Sequence, residues 1–226
     1  MIGWFSGNEV LEWLPDLFAG ALVTLRIAAL AFALALALGL AVAVARLSGG
    51  RLLRTLAGSY VEVFRGTPLL TQMLIVYFSL ASLGLTFTAF TAAVIAITLN
   101  SGAYLSEIFR AGILSIDHGQ REASLSIGMR EPQVLFYIVL PQAFRVMIPP
   151  IAHYAVITLK STSLASAITA PELMMQAHSL SSEYFRPTEI YGVAALFYVA
   201  IAYPLSIMAH LLEKRLSKTG VSVAAF

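Results

Sequence analysis

The sequence predicts an all-α integral membrane protein with five transmembrane helices, on three observations. Of its 226 residues, 59% are hydrophobic and only 12% charged, with a mean hydropathy of +0.84, a balance too apolar for a water-soluble domain. The apolar residues fall into five long runs, each long enough to cross about 30 Å of hydrocarbon as a helix. The basic residues gather in alternate connections between those runs, as they do when alternate loops face the cytoplasm.

Composition also excludes several classes. A net charge of +2, spread over short clusters, is an orientation signal and not a nucleic-acid surface. Without cysteine there is no disulfide framework, thiolate metal site or thiol nucleophile. The first residues carry Glu9, Glu12 and Asp16 where a signal peptide would carry a basic start and an apolar core, so no cleavable leader is expected.

Residues 1–16 mix Trp4, Phe5, Trp13 and Pro15 with those acids, which suits an amphipathic segment at the membrane surface ahead of a membrane domain spanning 17–215. Span one covers 17–45, uncharged from Ile27 onward, with Ala31, Ala35, Gly39 and Ala43 recurring every fourth residue as in closely packed helix pairs. Arg46, Arg51 and Arg54 then form a basic connection. Span two covers 56–80 and carries Glu62 and Arg65, spaced for an i,i+3 pair, ahead of a Gly66-Thr67-Pro68 break. An uncharged connection at Gly84 leads to span three, 90–114, with Asn100, Tyr104, Glu107 and Arg110.

A polar island at 117–133 follows. Span four begins near Pro141 and runs through Pro149 and Pro150 to about 170, interrupted by Lys160, Ser161, Thr162 and Ser163, so a straight helix is not expected there. Residues 171–188 are polar and place Glu172, Glu183, Arg186 and Glu189 on the opposite side from the island, as a solvated loop or a charged docking rim. Span five covers 190–212, and 216–226 form a tail. The connections 46–54 and 117–133 and the end of the chain hold Arg46, Arg51, Arg54, Arg121, Arg130, Lys214, Arg215 and Lys218, whereas the other side's loops hold only Arg186. Short-loop positive charge therefore predicts the N-terminus outside and the C-terminus in the cytoplasm, with the island cytoplasmic.

The island has a specific pattern. Glu122, Ala123 and the small Ser124 are followed after three residues by Gly128, and after nine more by Ile138-x-Leu140-Pro141. Small residues at 123, 124 and 128 suit a short helix that another protein approaches closely, kept soluble by Arg121, Glu122, Arg130 and Glu131 and stopped by Pro132. This pattern resembles the EAA loop of ABC-importer permeases, with Ser124 in place of a second alanine. Phe64 to Leu70 (FRGTPLL), Leu99 to Tyr104 (LNSGAY) with Glu107 and Arg110, and Leu159 to Leu164 (LKSTSL) resemble the polar amino-acid uptake subgroup of the histidine, glutamine, arginine and cystine type. The resemblance implies the ABC type I importer permease fold in a bacterial cytoplasmic (inner) membrane. It also implies Glu122, Ala123, Ser124 and Gly128 as the ATPase-coupling element. The partners it implies are a cytoplasmic ABC ATPase that holds ATP and Mg, a second permease subunit forming a homo- or heterodimer, and an extracytoplasmic amino-acid-binding protein. This chain itself binds no cofactor on that reading: it has no G-x-x-x-x-G-K-[ST] loop, and no H-E-x-x-H or G-x-S-x-G.

Charged side chains at membrane depth cost about 2.5 to 3.5 kcal/mol each on insertion scales, so Arg65 and Lys160 are expected to pair internally or to line a path. With Thr67, Asn100, Ser161 and Ser163 they form the candidate substrate-binding set, the cations taking an amino acid's carboxylate. The subgroup commonly has an acid where this chain has Ser161, and Ala155 adds none. A substrate with a neutral side chain is expected. The residues alone leave open a secondary transporter or channel working without nucleotide, and a membrane-embedded enzyme; loss of uptake when an ATPase is omitted separates the importer from these.

Overall fold

The structure, a computed structural model, describes residues 7–217, with side chains from Val10 to Leu216. These residues form helices throughout, without a strand: α1 Gly7–Ser48, α2 Arg51–Gly66, α3 Leu69–Ser82, α4 Ala89–Leu114, α5 His118–Ser126, α6 Glu131–Ile168, α7 Leu173–Tyr184 and α8 Pro187–Ser217. Four of them, α1, α4, α6 and α8, are long and apolar enough to cross a bilayer alone, and the bent pair α2 with α3 passes the same test when taken together, giving up to five.

The first correction concerns the N-terminal segment. α1 runs unbroken from Gly7, and Trp13 is buried instead of resting at an interface. Leu17 and Ala21 sit with it against Leu173, Ala177 and Leu180 of α7 and Ile190, Val193 and Ala194 of α8. Burying that apolar face costs less than leaving it in a headgroup layer, and Pro15 is tolerated inside the helix. Residues 1–6, and with them Trp4 and Phe5, lie outside the described residues, as does the tail from 218; the span-five helix reaches Ser217 instead of ending at 212.

α1 packs most extensively on α4. The small-residue stripe is the reason: Ala31, Ala35 and Ala43 are fully buried, and a methyl added to Gly39 would lie 2.9 Å from Leu105 Cβ and 3.0 Å from the Gly102 carbonyl oxygen. Only glycines let the two backbones meet so closely.

The second span is not one helix. Pro68 has no N–H and disfavours helical geometry at Thr67, which is extended (φ −116°, ψ 145°), and α2 and α3 diverge by 106°. α2 already begins at Arg51, so the expected 46–54 connection shrinks to Gly49 and Gly50. α2 buries only Ala57 and Val61, leaving Leu52, Leu53, Leu56 and Val63 exposed. α3 instead sets Met73 and Val76 into a core with Ile27 and Ala31 of α1, Ala92 to Ile97 of α4, and Ala165 and Ile168 of α6.

Span four starts earlier than Pro141, because Pro132 occupies the first turn of α6, where its missing N–H costs nothing. Pro132 therefore starts a helix; it does not stop α5. Ahead of Pro141 one turn widens, the Leu140 N–H donating to the Leu135 carbonyl five residues back. The helix tightens to 3-10 geometry over Thr162–Ile168, the expected departure from straightness. The 171–188 stretch is no open loop but holds α7.

Candidate functional site

Two sets of polar residues are built from this frame, one at membrane depth and one between α4 and α6. At the α2/α3 break the backbone carbonyls released by Pro68 need donors, since hydrocarbon supplies none. Gln72 provides them: its Nε2 donates to the carbonyl oxygens of Phe64 (2.9 Å) and Thr67 (3.1 Å) and lies 2.8 Å from Thr67 Oγ1. Asn100 Nδ2, from α4, also donates to Phe64 O at 2.9 Å, and Thr67 Oγ1 donates to Val63 O at 2.8 Å. The amide of Asn100 and the hydroxyl of Thr67 thus hold the break in shape. Gln72 was missed in the sequence, although a lone amide in the run 69–80 was its signal.

In the last turn of α2, just ahead of the break, Arg65 lies with its guanidinium 5.2 Å above the centre of the Tyr104 ring, and Tyr104 stacks on Tyr154 of α6 at 5.7 Å. Glu62 is exposed and makes no ion pair among the described residues, so the i,i+3 pairing with Arg65 is not formed. Arg65 reaches Glu107 instead, at 3.8 Å. Glu107 is held more closely by Arg46 of α1, bonded to Oε1, and by Arg110, whose Nε and Nη2 approach Oε2 at 3.0 and 2.8 Å. Arg46 had the look of a loop charge because the sequence does not show that α1 brings it back onto α4.

Lys160 lies elsewhere on α6. With Ser163 it lines a cleft of about 380 Å³ whose other wall is Tyr198, Val199, Ala202, Tyr203 and Ser206 of α8. Its ammonium has no hydrogen bond or ion pair with the described residues. Ser161 and Ser163 donate to the backbone oxygens of Ile157 and Lys160, both at 2.9 Å. Behind the cleft Tyr198 donates to Glu172 Oε2 at 2.8 Å; Thr24 Oγ1 lies 3.3 Å from the same oxygen, and Oε1 caps α7 through the Met175 N–H at 2.9 Å. Glu172 is fully buried, which removes it from the outer rim where the sequence placed it. At the C-terminal end of α7 the Tyr184 phenol is pushed up, first by desolvation and then by Glu183, Glu12 and Asp16.

The second set is α5. Asp117 caps it by accepting the Gly119 N–H, and the helix ends in a Schellman turn in which Gly128 N–H bonds Leu125 O at 2.9 Å and Met129 N–H bonds Ser124 O at 3.2 Å. Gly128 is left-handed at φ +88°. Ser124 faces inward, buried and bonded to Gln120 O at 2.7 Å where α5 packs on the start of α6, so its small volume serves this chain and not a visitor. Arg121 grips Glu131 with both terminal contacts at 2.8 Å. Glu122, Ala123 and Gly128 are exposed, and Ile127 is 80% exposed.

Five apolar crossings, one of them broken and stitched by amides, with partly solvated cations at membrane depth and a solvated helix held between two spans, define a polytopic membrane transport protein. Residues 16–218 match the family described as binding-protein-dependent transport system inner membrane component, and the chain belongs to that family. It is a multi-pass inner-membrane transport subunit with the ABC type I importer permease fold. It is 42% identical to the L-cystine transport system permease protein TcyB of Bacillus subtilis (strain 168), over 90% of this chain and 88% of the relative. With the glutamine transport system permease protein GlnP of Escherichia coli (strain K12) it shares 39% identity over 94% of this chain and 98% of that one. The solved structure of an amino acid ABC transporter with histidines has a TM-score of 0.89 at 34% identity, covering 93% of this chain and 99% of that chain. An inward-facing structure of the MetNI methionine ABC transporter shares the fold, with a TM-score of 0.68 at 16% identity, covering 94% of this chain and 99% of that chain.

Proposed function

We propose that the chain forms the translocation path of an ATP-driven importer for a polar amino acid with a neutral side chain. α5 docks on a separate ATPase, and a second permease subunit and an extracytoplasmic binding protein complete the assembly. The observation that carries this reading is α5 itself: a nine-residue helix outside the spans, fixed to its own chain by the burial of Ser124 and by the Arg121–Glu131 pair, yet presenting Glu122, Ala123 and the bare side chain of Ile127 to solvent. An apolar residue so exposed, on a helix so firmly anchored, suits a rigid contact with another protein.

The substrate class rests on the cations. A carboxylate entering the membrane needs charged donors to replace its water, and Arg65 and Lys160 both keep donors that are not consumed by hydrogen bonds within the described residues. Thr67, Asn100, Ser161 and Ser163 set the shape around them, their own donors bonded to backbone. No carboxylate at 161 faces a cationic side chain, and the relatives carry glutamine and L-cystine in their names, neither with a net side-chain charge. The orientation proposed is N-terminus outside and C-terminus cytoplasmic, which puts α5 within reach of the ATPase.

Proteoliposomes holding the permease with its ATPase and binding protein test this. Uptake of labelled L-glutamine or L-cystine that stops when the ATPase is omitted supports the importer; uptake that persists supports a lone carrier or channel. Transport of arginine in preference to both neutral substrates would overturn the substrate class. Topology reporters fused at Gly84 and Gly119 should face opposite sides, and the same side for both would overturn the orientation.

A further inference from the structure

The Glu107 cluster is unbalanced in charge: three guanidinium groups, from Arg46, Arg65 and Arg110, face one carboxylate. Glu107 is already saturated, one oxygen by Arg46 and the other by two nitrogens of Arg110. Arg65 is left over. Its contact with Glu107 is long, its guanidinium makes no hydrogen bond with the described residues, and its side chain is 43% exposed, with that of Arg110 35% exposed beside it. The ring of Tyr104 supports one face of the Arg65 guanidinium and leaves the edge of its fork open. Glu107 stands seven residues before the end of α4, the end that leads into α5, so the cluster lies in the half of the span nearest the coupling helix.

The geometry points to a second station for the substrate: Arg65 and Arg110 together take the α-carboxylate of the amino acid on the α5 side of the path, with Glu107 holding both arginines in place and Tyr104 as a wall. This rests on the amino-acid reading above and adds Arg110, Glu107 and Tyr104 to it as a site separate from the Lys160 cleft. Excess positive charge at partial burial demands a counter-anion, and a planar fork matches a carboxylate in two parallel hydrogen bonds. Glu107 is a positioning residue, because its oxygens touch the arginines and not the substrate.

The test reads each arginine directly. The permease–ATPase complex in nanodiscs, without binding protein, is treated with phenylglyoxal, and modification of Arg65 and Arg110 is followed by peptide mass spectrometry. L-glutamine and L-cystine are the probes, with L-glutaminamide, which lacks the carboxylate, as the control. Protection of both arginines at least fivefold by either amino acid, and not by the amide, is expected. Arg110→Gln should raise the half-protecting concentration at Arg65 about tenfold, and Arg110→Lys, which keeps the charge without the fork, should fall between. Equal protection by the amide, protection by neither amino acid, or protection that follows anionic lipid content instead of amino acid would overturn the site. Uptake of these amino acids by the full transporter, measured in parallel, separates the two readings: uptake without carboxylate-dependent protection sinks only this station, and no uptake of any amino acid sinks the substrate class.

Discussion

Gly128 offers the sharpest test of why the loop between α4 and α6 has its sequence, because two physical reasons for this glycine predict different variants. In the first, a small residue allows an ATPase to approach closely, and any side chain uncouples. In the second, φ of +88° is required to close the Schellman turn of α5, and only conformational strain matters. The structure supplies the second directly in that φ, and since a methyl placed on Gly128 meets nothing within 4 Å of its own chain, no contact inside the chain accounts for the glycine. An ordinary L-residue in left-handed geometry costs about 1 to 2 kcal/mol, which lowers the ratio of closed to open turns by roughly 5-fold to 30-fold. Asn tolerates that geometry and costs less, whereas a β-branched residue costs the most. Initial rates of ATP-dependent uptake in proteoliposomes should therefore fall in the order Gly128, Gly128→Asn, Gly128→Leu, Gly128→Val, at equal expression and with the spans intact. Asn as inactive as Leu would refute the turn argument and restore the close-approach one. Full activity with Val would refute both.

Other variants probe the membrane-depth features. Gly39→Ala places a methyl at 2.9 Å from Leu105 Cβ and should cost about 1 to 3 kcal/mol by forcing α1 from α4, read as a lower melting temperature in detergent. Gln72→Leu takes the amide donor from the Thr67 carbonyl and leaves that of Phe64 with Asn100 alone, and should destabilise by about 1 to 3 kcal/mol, with Gln72→Glu no rescue because it brings no amide donor. Lys160→Met should reduce uptake more than tenfold while the complex still purifies intact, and unchanged uptake would remove Lys160 from the path. Ser161→Asp should shift preference toward a cationic amino acid, measured by competition between arginine and glutamine.

How far the sequence could be read follows the range of the interactions involved. The all-helical class with its long apolar runs, the small-residue stripe and the short polar helix between α4 and α6 are carried by near neighbours or by spacing, and they were legible. The break at Pro68 was visible as a breaker but not as a 106° bend, because its angle is set by Gln72 and by Asn100 of another helix. The i,i+3 spacing offered Arg65 a partner in Glu62, its neighbour in sequence; Arg65 found Glu107 and Tyr104, which only the crossing of α2 over α4 brings close. Trp13 and Glu172 misled for the same reason, since composition assigns Trp and Glu to interfaces and loops, whereas α7, short enough to pass for a polar loop, buries both.

Glu172 constrains the order in which this protein can be completed. Its carboxylate draws one donor from Thr24, 148 residues earlier, and another from Tyr198, 26 residues later. While the chain emerges from the ribosome, α1 waits in the bilayer with Thr24 unmatched, and Glu172 enters with its own N-cap and Thr24 as its only company. Until α8 follows, the carboxyl group lacks its shortest side-chain bond, the one from Tyr198. α8 thus closes the fold around a buried carboxyl group carried by the segment before it, and a chain truncated ahead of Tyr198 should be recognised by membrane quality control as unfinished.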